Sequence, residues 1–215
     1  MSDGRLFIGT RRYSSWSMRG WLPVRLAGLD VEEVVIPLTG GVTSAIQGRT
    51  PNDLVPYLEH RGARIWESLA ICEYCAELAP YLWPEDRVTR AHARSIAAEM
   101  HAGFRPLRAA MPMNLGRQAS VEVTPACRQD IDRIEAIWRE ARAGHGGPFL
   151  FGAQFGNADA MYAPVVARLL TYRPELGADT LAYCAAVRAH KLVAAWYDAA
   201  VAEPAEWLLD KYEAI

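Results

Sequence analysis

The chain has 215 residues, enough for one large domain or two small ones. Its 23 Lys and Arg residues nearly balance its 25 Asp and Glu residues, so the net charge is −2. Without a basic excess the chain lacks the general attraction that holds nucleic acids or anionic membranes, so we expect neither as a partner. Hydrophobic residues make up 51% of the sequence, which supports a sizeable core and excludes a disordered protein.

The sequence has no run of ~18 apolar residues that could span a membrane, and its first 30 residues resemble neither a signal nor a transit peptide. Its 4 cysteines are too few for a disulfide scaffold and suit a reducing compartment. These features predict a soluble, cytoplasmic protein. The near absence of lysine beside many arginines and alanines favours a GC-rich bacterial source.

The first part of the chain alternates between strand-like and helix-like patterns. The predicted elements are a strand at 5–9, a helix at 15–27, a strand at 31–38, a long irregular loop at 39–54, strands at 56–59 and 63–66, and a helix at 67–78. This order predicts a small α/β layer built on a mixed sheet.

After a proline-punctuated stretch at 80–84 the pattern becomes wholly helical. Apolar residues spaced three and four apart predict amphipathic helices at 88–111 and 126–142, and further helices at 158–172 and 180–202. We therefore predict a first domain at 1–80, a linker at 81–87 and an all-helical domain at 88–215.

A serine-rich segment, Tyr13-Ser14-Ser15-Trp16-Ser17, joins the first predicted strand to the first predicted helix. Serine is a preferred N-cap residue, so these serines could simply cap the helix. The same helix N-terminus carries unpaired N–H groups and a positive dipole end, which stabilise a thiolate placed there. A serine hydroxyl would add one more donor, and the residues alone leave both roles open.

Four more segments carry recognisable patterns. They read Thr-Pro-Asn-Asp-Leu-Val-Pro-Tyr-Leu at 50–58, Trp-Glu-Ser-Leu-Ala-Ile at 66–71, Glu-Met-His-Ala-Gly-Phe at 99–104, and Phe-Gly-Asn-Ala-Asp-Ala-Met-Tyr-Ala-Pro at 155–164. In their order and spacing, the five segments resemble the cytosolic glutathione transferase family over nearly the whole chain. The resemblance implies a thioredoxin-like domain followed by an all-α domain, with a homodimer as the usual assembly.

The resemblance also implies a function, the addition of the glutathione thiolate to small hydrophobic electrophiles in detoxification. Ser14 matches the active serine of the zeta-class signature Ser-Ser-Cys-Ser-x-Arg, with Ser15 as its neighbour and Tyr13 as the alternative hydroxyl. These residues are the predicted catalytic groups, and glutathione is the predicted co-substrate.

Four residues are implied to bind glutathione. Val55 would pair its main chain with the cysteinyl part of the tripeptide, because the bond between Val55 and Pro56 is cis in this fold. Ser68 opens a helix whose free N–H groups would accept the γ-glutamyl carboxylate, and Glu67 would meet the ammonium group.

Two other functions are open, and three departures from the family pattern bear on them, the first against an isomerase and the other two in favour of a non-catalytic protein. Trp16 replaces the zeta-class cysteine, Leu54 replaces a glutathione-binding lysine, and Gly156 replaces the serine of a Ser-x-x-Asp helix start. The alternatives are a zeta-like glutathione-dependent cis–trans isomerase and a non-catalytic glutathione transferase-like binding protein.

The remaining polar residues are predicted to be structural. Asp159 should accept hydrogen bonds from backbone N–H groups, with Asn157 as a substitute helix cap. His101 is expected to be a satisfied surface or interface histidine and not a catalytic base.

Several other residues of note are expected to have ordinary packing or surface roles. Met100 and Phe104 are expected in the core. Cys72 and Cys75 should pack inside a helix, and the sequence shows no metal-ligand spacing. Arg19 could favour an anion or lie on the surface.

Overall fold

The computed structural model describes residues 2–214. The first part of the chain forms β1 (Gly4–Gly9), α1 (Ser15–Leu26), β2 (Glu32–Ile36), β3 (Tyr57–His60), β4 (Ala63–Trp66) and α2 (Ser68–Leu78). The strands lie in the order β2-β1-β3-β4, with β1 parallel to β2 and the other pairs antiparallel. The predicted mixed sheet is confirmed.

Both faces of this sheet are covered. Because side chains alternate along a strand, Leu6 and Ile8 enter the main core with α1 and α2, whereas Phe7 points to the opposite face. There Phe7 stacks on Tyr57, with ring centroids 5.5 Å apart, and packs with Ile46 from a short 3-10 helix in the long loop. Packing against the two faces of the sheet thus fixes the positions of α1 and of the loop before β3.

The second part of the chain is helical. It forms α3 (Arg87–Ala102), α4 (Arg105–Ala110), α5 (Pro125–Arg142), α6 (Asn157–Tyr172), α7 (Ala178–Ala189), α8 (Lys191–Val201) and the short α9 (Asp210–Glu213). Within residues 2–214, no helix is both long enough and apolar enough to cross a bilayer.

The helix predicted at 88–111 is two helices. Helix α3 ends at Gly103, and Phe104 adopts a left-handed conformation with φ 61°. Pro106 then lies in the first turn of α4, where the missing N–H of proline costs no hydrogen bond. Apolar spacing continues across the break because both helices face the same core, so periodicity alone did not reveal it.

The helix predicted at 180–202 is also two helices. His190 has an extended backbone, with φ −62° and ψ 130°, between α7 and α8. No proline or glycine marks this position in the sequence, so the prediction of one helix was wrong for lack of a local signal.

Helix α6 joins the two parts of the molecule, and they share one hydrophobic core. Nearly every residue of α6 is buried. Arg19 of α1 donates from Nε to the Met161 carbonyl at 2.7 Å. Asn157 donates from Nδ2 to the Cys72 carbonyl at 2.9 Å, so it bridges to α2 and is not the helix cap that the sequence suggested.

Asp159 has the predicted structural role. Its carboxylate accepts hydrogen bonds from the N–H groups of Leu150 and Gly156, both at 3.0 Å, and from the Tyr183 hydroxyl at 2.9 Å. Burial raises the pKa of Asp159 to about 6 although these donors oppose the shift. Cys72 and Cys75 are free, fully buried packing residues, as predicted.

A segment near the carboxyl end, residues 203–213, crosses the loop between β1 and α1, and we call it the C-terminal strap. The Glu203 carboxylate accepts hydrogen bonds from the backbone N–H groups of Arg11 at 2.6 Å and Arg12 at 3.2 Å. The Tyr13 hydroxyl donates to Glu213 at 2.6 Å. The strap therefore holds the loop that leads into α1.

Candidate active site

A cavity of about 580 Å³ lies between the two parts of the molecule, and we call it the interdomain cleft. Its first-domain wall consists of Asn52, Leu54, Val55, Pro56, Glu67 and Ser68. Its second-domain wall consists of His101, Ala102, Gly103, Arg105 and Arg108, and Trp16 of α1 completes the lining. The volume lies within the roughly 300–1,000 Å³ typical of small-molecule sites.

All four residues predicted to bind glutathione line the first-domain wall. The bond between Val55 and Pro56 is cis, as predicted. Within residues 2–214, neither the N–H nor the C=O of Val55 takes part in a backbone hydrogen bond. A main-chain donor and acceptor at Val55 are therefore available to a ligand.

Gly20 allows this wall to approach α1. A Cβ atom at position 20 would lie 2.7 Å from Cγ of Pro56 and 2.9 Å from its Cβ. Real Cβ atoms do not come so close to a rigid ring, so the position of Pro56 requires a glycine.

Glu67 and Ser68 occupy the N-terminus of α2. Glu67 has a positive φ of 69° with ψ 126°, a conformation that costs a non-glycine residue about 1–3 kcal/mol and that is concentrated at ligand sites. The first N–H groups of α2 have no intrahelical acceptor, as at every helix start. The buried Ser68 hydroxyl likewise has no partner within residues 2–214. This helix start offers several donors to an anion.

Ser14 caps α1. Its Oγ accepts a hydrogen bond from the Ser17 N–H at 3.3 Å and donates to Ser17 Oγ at 2.7 Å. Ser14 and Ser15 are each only 6% exposed and lie outside the lining of the cleft, although Trp16 beside them is part of it. The structure thus shows the capping role of Ser14, and a catalytic role for either serine stays a prediction.

Tyr13 is engaged by the C-terminal strap. Its hydroxyl donates to Glu213 and accepts from the Leu209 N–H at 3.1 Å. Burial, together with the hydrogen bond to Glu213, raises the pKa of Tyr13 to about 12. Of the three candidate hydroxyls, Tyr13 is therefore the least available to a thiolate.

Trp16 is the centre of an aromatic and cationic group that the sequence did not predict. Its ring centroid lies 5.0 Å from the Arg19 guanidinium and 4.7 Å from that of Arg108. His101 meets the Trp16 ring edge-on, with centroids 5.2 Å apart. Such guanidinium–indole contacts are favourable, so they fix the indole in place.

Arg105 and Arg108 were missed, although a signal for them existed. They lie three residues apart on α4, directly after the segment at 99–104 that resembled a pocket-lining part of the family. That spacing places them on one helix face. Met100 and Phe104 lie in the core, as predicted.

His101 lies at the interface between the two parts of the molecule, one of the two expected positions, but the expectation that its hydrogen bonds are satisfied was wrong. Its side chain lines the cleft, and its buried Nδ1 has no hydrogen-bond partner within residues 2–214. Its Nε2 lies 3.7 Å from Glu67 Oε2. Burial, followed by repulsion from Arg19 and Arg108, lowers the pKa of His101, although Glu67 opposes the shift.

A larger cavity of about 830 Å³ lies along the segment from Pro80 to Asp86 and the start of α6. It contains none of the residues predicted to bind glutathione or to act on it. We therefore assign the candidate site to the interdomain cleft.

Comparisons with known proteins agree with this geometry. The sequence model "Glutathione S-transferase, N-terminal domain" matches residues 13–78, and the model "Glutathione S-transferase, C-terminal domain" matches residues 117–199. The first covers Val55, Glu67 and Ser68, and the second covers helices α5 to α7 with most of α8.

Individual relatives extend the match along the chain. "Maleylacetoacetate isomerase" of Rattus norvegicus is 29% identical over 184 residues, which cover 82% of this chain and 83% of that protein. "Protein IN2-1 homolog A" of Oryza sativa subsp. japonica is 30% identical over 177 residues, or 78% of this chain and 69% of that protein.

A solved structure has the same fold. It is that of a glutathione transferase homolog from Burkholderia, crystallised with bound glutathione, and it superimposes with a TM-score of 0.71 at 24% identity. The superposition covers 93% of this chain and 99% of that chain. Because both family domains match in order and the relatives align over more than two thirds of their length, this chain belongs to the glutathione S-transferase family.

Proposed function

We propose that the protein is a glutathione transferase that adds the thiolate of glutathione to a small electrophile in the interdomain cleft. The observation that carries the proposal is that Val55, Glu67 and Ser68 line one cavity together with aromatic and cationic side chains of the other wall. One wall suits a charged peptide, and the other suits a second, smaller molecule. This division is what a reaction between two substrates requires.

Each group on the first-domain wall would bind a different part of glutathione. The N–H and C=O of Val55 would pair with the cysteinyl backbone. The N-terminus of α2, with Ser68, would accept the γ-glutamyl carboxylate, because unpaired N–H groups and the helix dipole favour an anion. Glu67, whose carboxylate is half-exposed, would bind the ammonium group.

Ser14 would stabilise the thiolate. A free thiol has a pKa of about 8.5, so only a small part of it is ionised at neutral pH. A hydroxyl donor and the N-terminus of α1 would both lower that pKa. For this role the Ser14 hydroxyl must turn from Ser17 towards the sulfur. Ser15 is the second candidate, and Tyr13 is the third.

The decisive measurement is ultraviolet difference absorbance of the glutathione thiolate during titration of the protein with glutathione near neutral pH. We expect a thiolate signal in the wild type, loss of that signal and of turnover in Ser14→Ala, and retention of glutathione binding. Ser14→Ala also removes a helix cap worth about 1 kcal/mol, so Ser14→Thr, which keeps the hydroxyl and the cap, is the matched control.

Other outcomes would redirect the proposal. An unchanged thiolate in Ser14→Ala would transfer the role to Ser15, then to Tyr13, tested with Ser15→Ala and Tyr13→Phe. Binding of glutathione without any thiolate would favour a non-catalytic binding protein. No binding would exclude the proposed function.

A second candidate is a glutathione-dependent cis–trans isomerase. It is favoured by the similarity to the rat maleylacetoacetate isomerase. The replacement of the zeta-class cysteine by Trp16 argues against it. Turnover of a maleyl-type cis-diacid, with glutathione regenerated, would favour the isomerase over the transferase.

We also propose the setting in which the enzyme works. Its four free, buried cysteines suit the cytoplasm of a bacterium, and detoxification is the family role that fits a broad electrophile site. We propose a homodimer, consistent with the exposed apolar side chains of Trp66 and Val88. Light scattering on the purified protein would test the assembly.

A further inference from the structure

Three arginines repel one another at the second-domain wall, and we call them the arginine cluster. Arg108 of α4 is part of the wall, whereas Arg19 of α1 and Arg168 of α6 do not line the cleft. Arg19 is 0% exposed and Arg168 is 4% exposed. Arg108 is partly buried and forms the part of the cluster that reaches the interdomain cleft. Burial, then repulsion from Arg108 and Arg168, lowers the pKa of Arg19, and burial with repulsion from Arg108 lowers the pKa of Arg168 to about 9.

The arginine cluster forms no ion pair with a carboxylate in the part of the chain that the structure describes. Within residues 2–214, no Asp or Glu side chain lies within the 4.0 Å of an ion pair from any of the three guanidinium groups. Asp130, which accepts a hydrogen bond from the Leu107 N–H at 2.9 Å, attracts Arg108 electrostatically and offsets part of its charge, but it forms no ion pair with it.

The hydrogen bonds of the cluster go to backbone carbonyls. Arg108 donates from Nε to the Gly103 carbonyl at 3.0 Å and from Nη2 to that of Met100. Arg168 donates from Nη1 to the Pro164 carbonyl at 3.0 Å. Nη1 and Nη2 of Arg19 and Nε of Arg168 are buried with no partner within residues 2–214.

Uncompensated buried cations are costly. Like charges repel each other more strongly in the low dielectric of a protein interior than in water, and desolvation adds to the cost of burying them. An anion in the cleft beside Arg108 would offset both contributions. Arg105, exposed on the same helix face, adds a second cation at the cleft.

The surroundings of the arginine cluster bear on which substrate supplies the anion. Glu67 lies on the opposite wall, where we propose that the γ-glutamyl group binds, and its Oε2 is 3.7 Å from Nε2 of His101. The arginine cluster instead lies beside Trp16, whose partly exposed ring offers a flat apolar surface. Two groups can bring a negative charge to this wall, the glycyl carboxylate of glutathione and the second substrate. The flat Trp16 ring beside Arg108 favours the second substrate.

We propose that the electrophile of this enzyme carries a carboxylate, which pairs with Arg108, while its flat conjugated or aromatic body lies against Trp16. This inference rests on the proposed transferase function and narrows its substrate from a hydrophobic electrophile to an acidic one. Arg19 and Arg168 act through the field they create behind Arg108.

A matched pair of substrates tests the proposal. In 4-fluoro-3-nitrobenzoate the thiolate sulfur forms a bond to the ring carbon that carries fluorine, and fluoride leaves with the electron pair of the broken C–F bond. The thiol proton goes to solvent, and the carboxylate does not react. The neutral comparison is 4-fluoro-3-nitrobenzamide, which undergoes the same displacement.

We expect the wild type to prefer the acid over the amide by about tenfold to a hundredfold in kcat/KM, after division by the uncatalysed rates, as a charge-assisted hydrogen bond provides. Arg108→Met should abolish the preference by lowering activity on the acid alone. Arg108→Lys should keep part of it. Arg139→Met, which removes an exposed arginine of α5 outside the lining of the cleft, should keep all of it.

The wild-type comparison needs no variant, so poor folding of Arg108→Met does not affect it. Equal activity on both substrates, or a preference for the amide, would overturn the proposal. An equal loss on both substrates in a folded Arg108→Met would also do so. Turnover of the neutral 1-chloro-2,4-dinitrobenzene with glutathione separates the two claims, because it tests the transferase function without an acid group.

Discussion

The two walls of the interdomain cleft are built in different ways. The first-domain wall offers backbone groups at Val55 and at the N-terminus of α2, held by a sheet and by close contact between Pro56 and Gly20. The second-domain wall offers long side chains, and its two arginines, Arg105 and Arg108, form no ion pairs within residues 2–214. A wall of backbone groups suits one constant ligand, whereas a wall of side chains can change with the substrate. We therefore expect the second-domain wall to determine which electrophile the enzyme accepts.

The largest effect should come from breaking the first-domain wall at its closest contact. Gly20→Ala puts a methyl group 2.7 Å from the Pro56 ring, so Pro56 must move. We expect a loss of about 1–3 kcal/mol in the free energy of unfolding. Glutathione affinity should fall by more than about tenfold. Chemical denaturation and glutathione titration measure the two effects.

Gly41→Ala is the matched control, because a Cβ atom there meets nothing within 4 Å. Its stability and affinity should be those of the wild type. If Gly20→Ala binds glutathione normally, the position of Pro56 does not govern the first-domain wall.

A smaller effect should follow from removing one charge on this wall. Glu67→Gln keeps the shape of the side chain but loses its negative charge, so glutathione affinity should fall about three- to thirtyfold. The relative rates on acidic and neutral electrophiles should not change, because they depend on the other wall. Glutathione titration and the matched substrate pair provide both measurements.

Glu73→Gln serves as the control for this charge. Glu73 lies on the same helix, outside the cleft, and pairs with Arg94 at 2.7 Å. A similar loss of affinity in both variants would mean that net charge, and not the position of Glu67, controls binding.

The smallest effect concerns His101 on the second-domain wall. Burial and nearby arginines lower its pKa, so His101 is neutral at pH 7 and gains its charge only as the pH falls. A new cation beside Arg108 should then lower KM for the acidic electrophile about twofold, with no change for the amide. His101→Gln should remove this pH dependence. A KM that stays constant with pH in the wild type would show that His101 does not face the acid group.

The same contrast explains which parts of the molecule the sequence predicts. Strands and the first helices follow from local patterns, and Val55, Glu67 and Ser68 belong to short motifs that the family resemblance identifies. The break at His190 was missed because no local signal marks it.

The arginine cluster could not be predicted in the same way. Arg19, Arg108 and Arg168 come from α1, α4 and α6, three segments far apart in the sequence, and come close to one another only in the folded chain. The sequence left Arg19 as an anion-binding or a surface residue, and it is fully buried. Side-chain groups assembled by tertiary packing have no signature along the chain.

The C-terminal strap affects the order in which parts of the chain reach their final structure during synthesis. A ribosome makes the chain from its amino end, so the loop at residues 11–13 emerges long before Glu203 and Glu213, its hydrogen-bond partners. Until the helical half has been made, the N–H groups of Arg11 and Arg12 and the Tyr13 hydroxyl lack these partners and pair with water. The turn into α1 is thus among the first parts of the protein to be synthesised and among the last to reach its final hydrogen bonding.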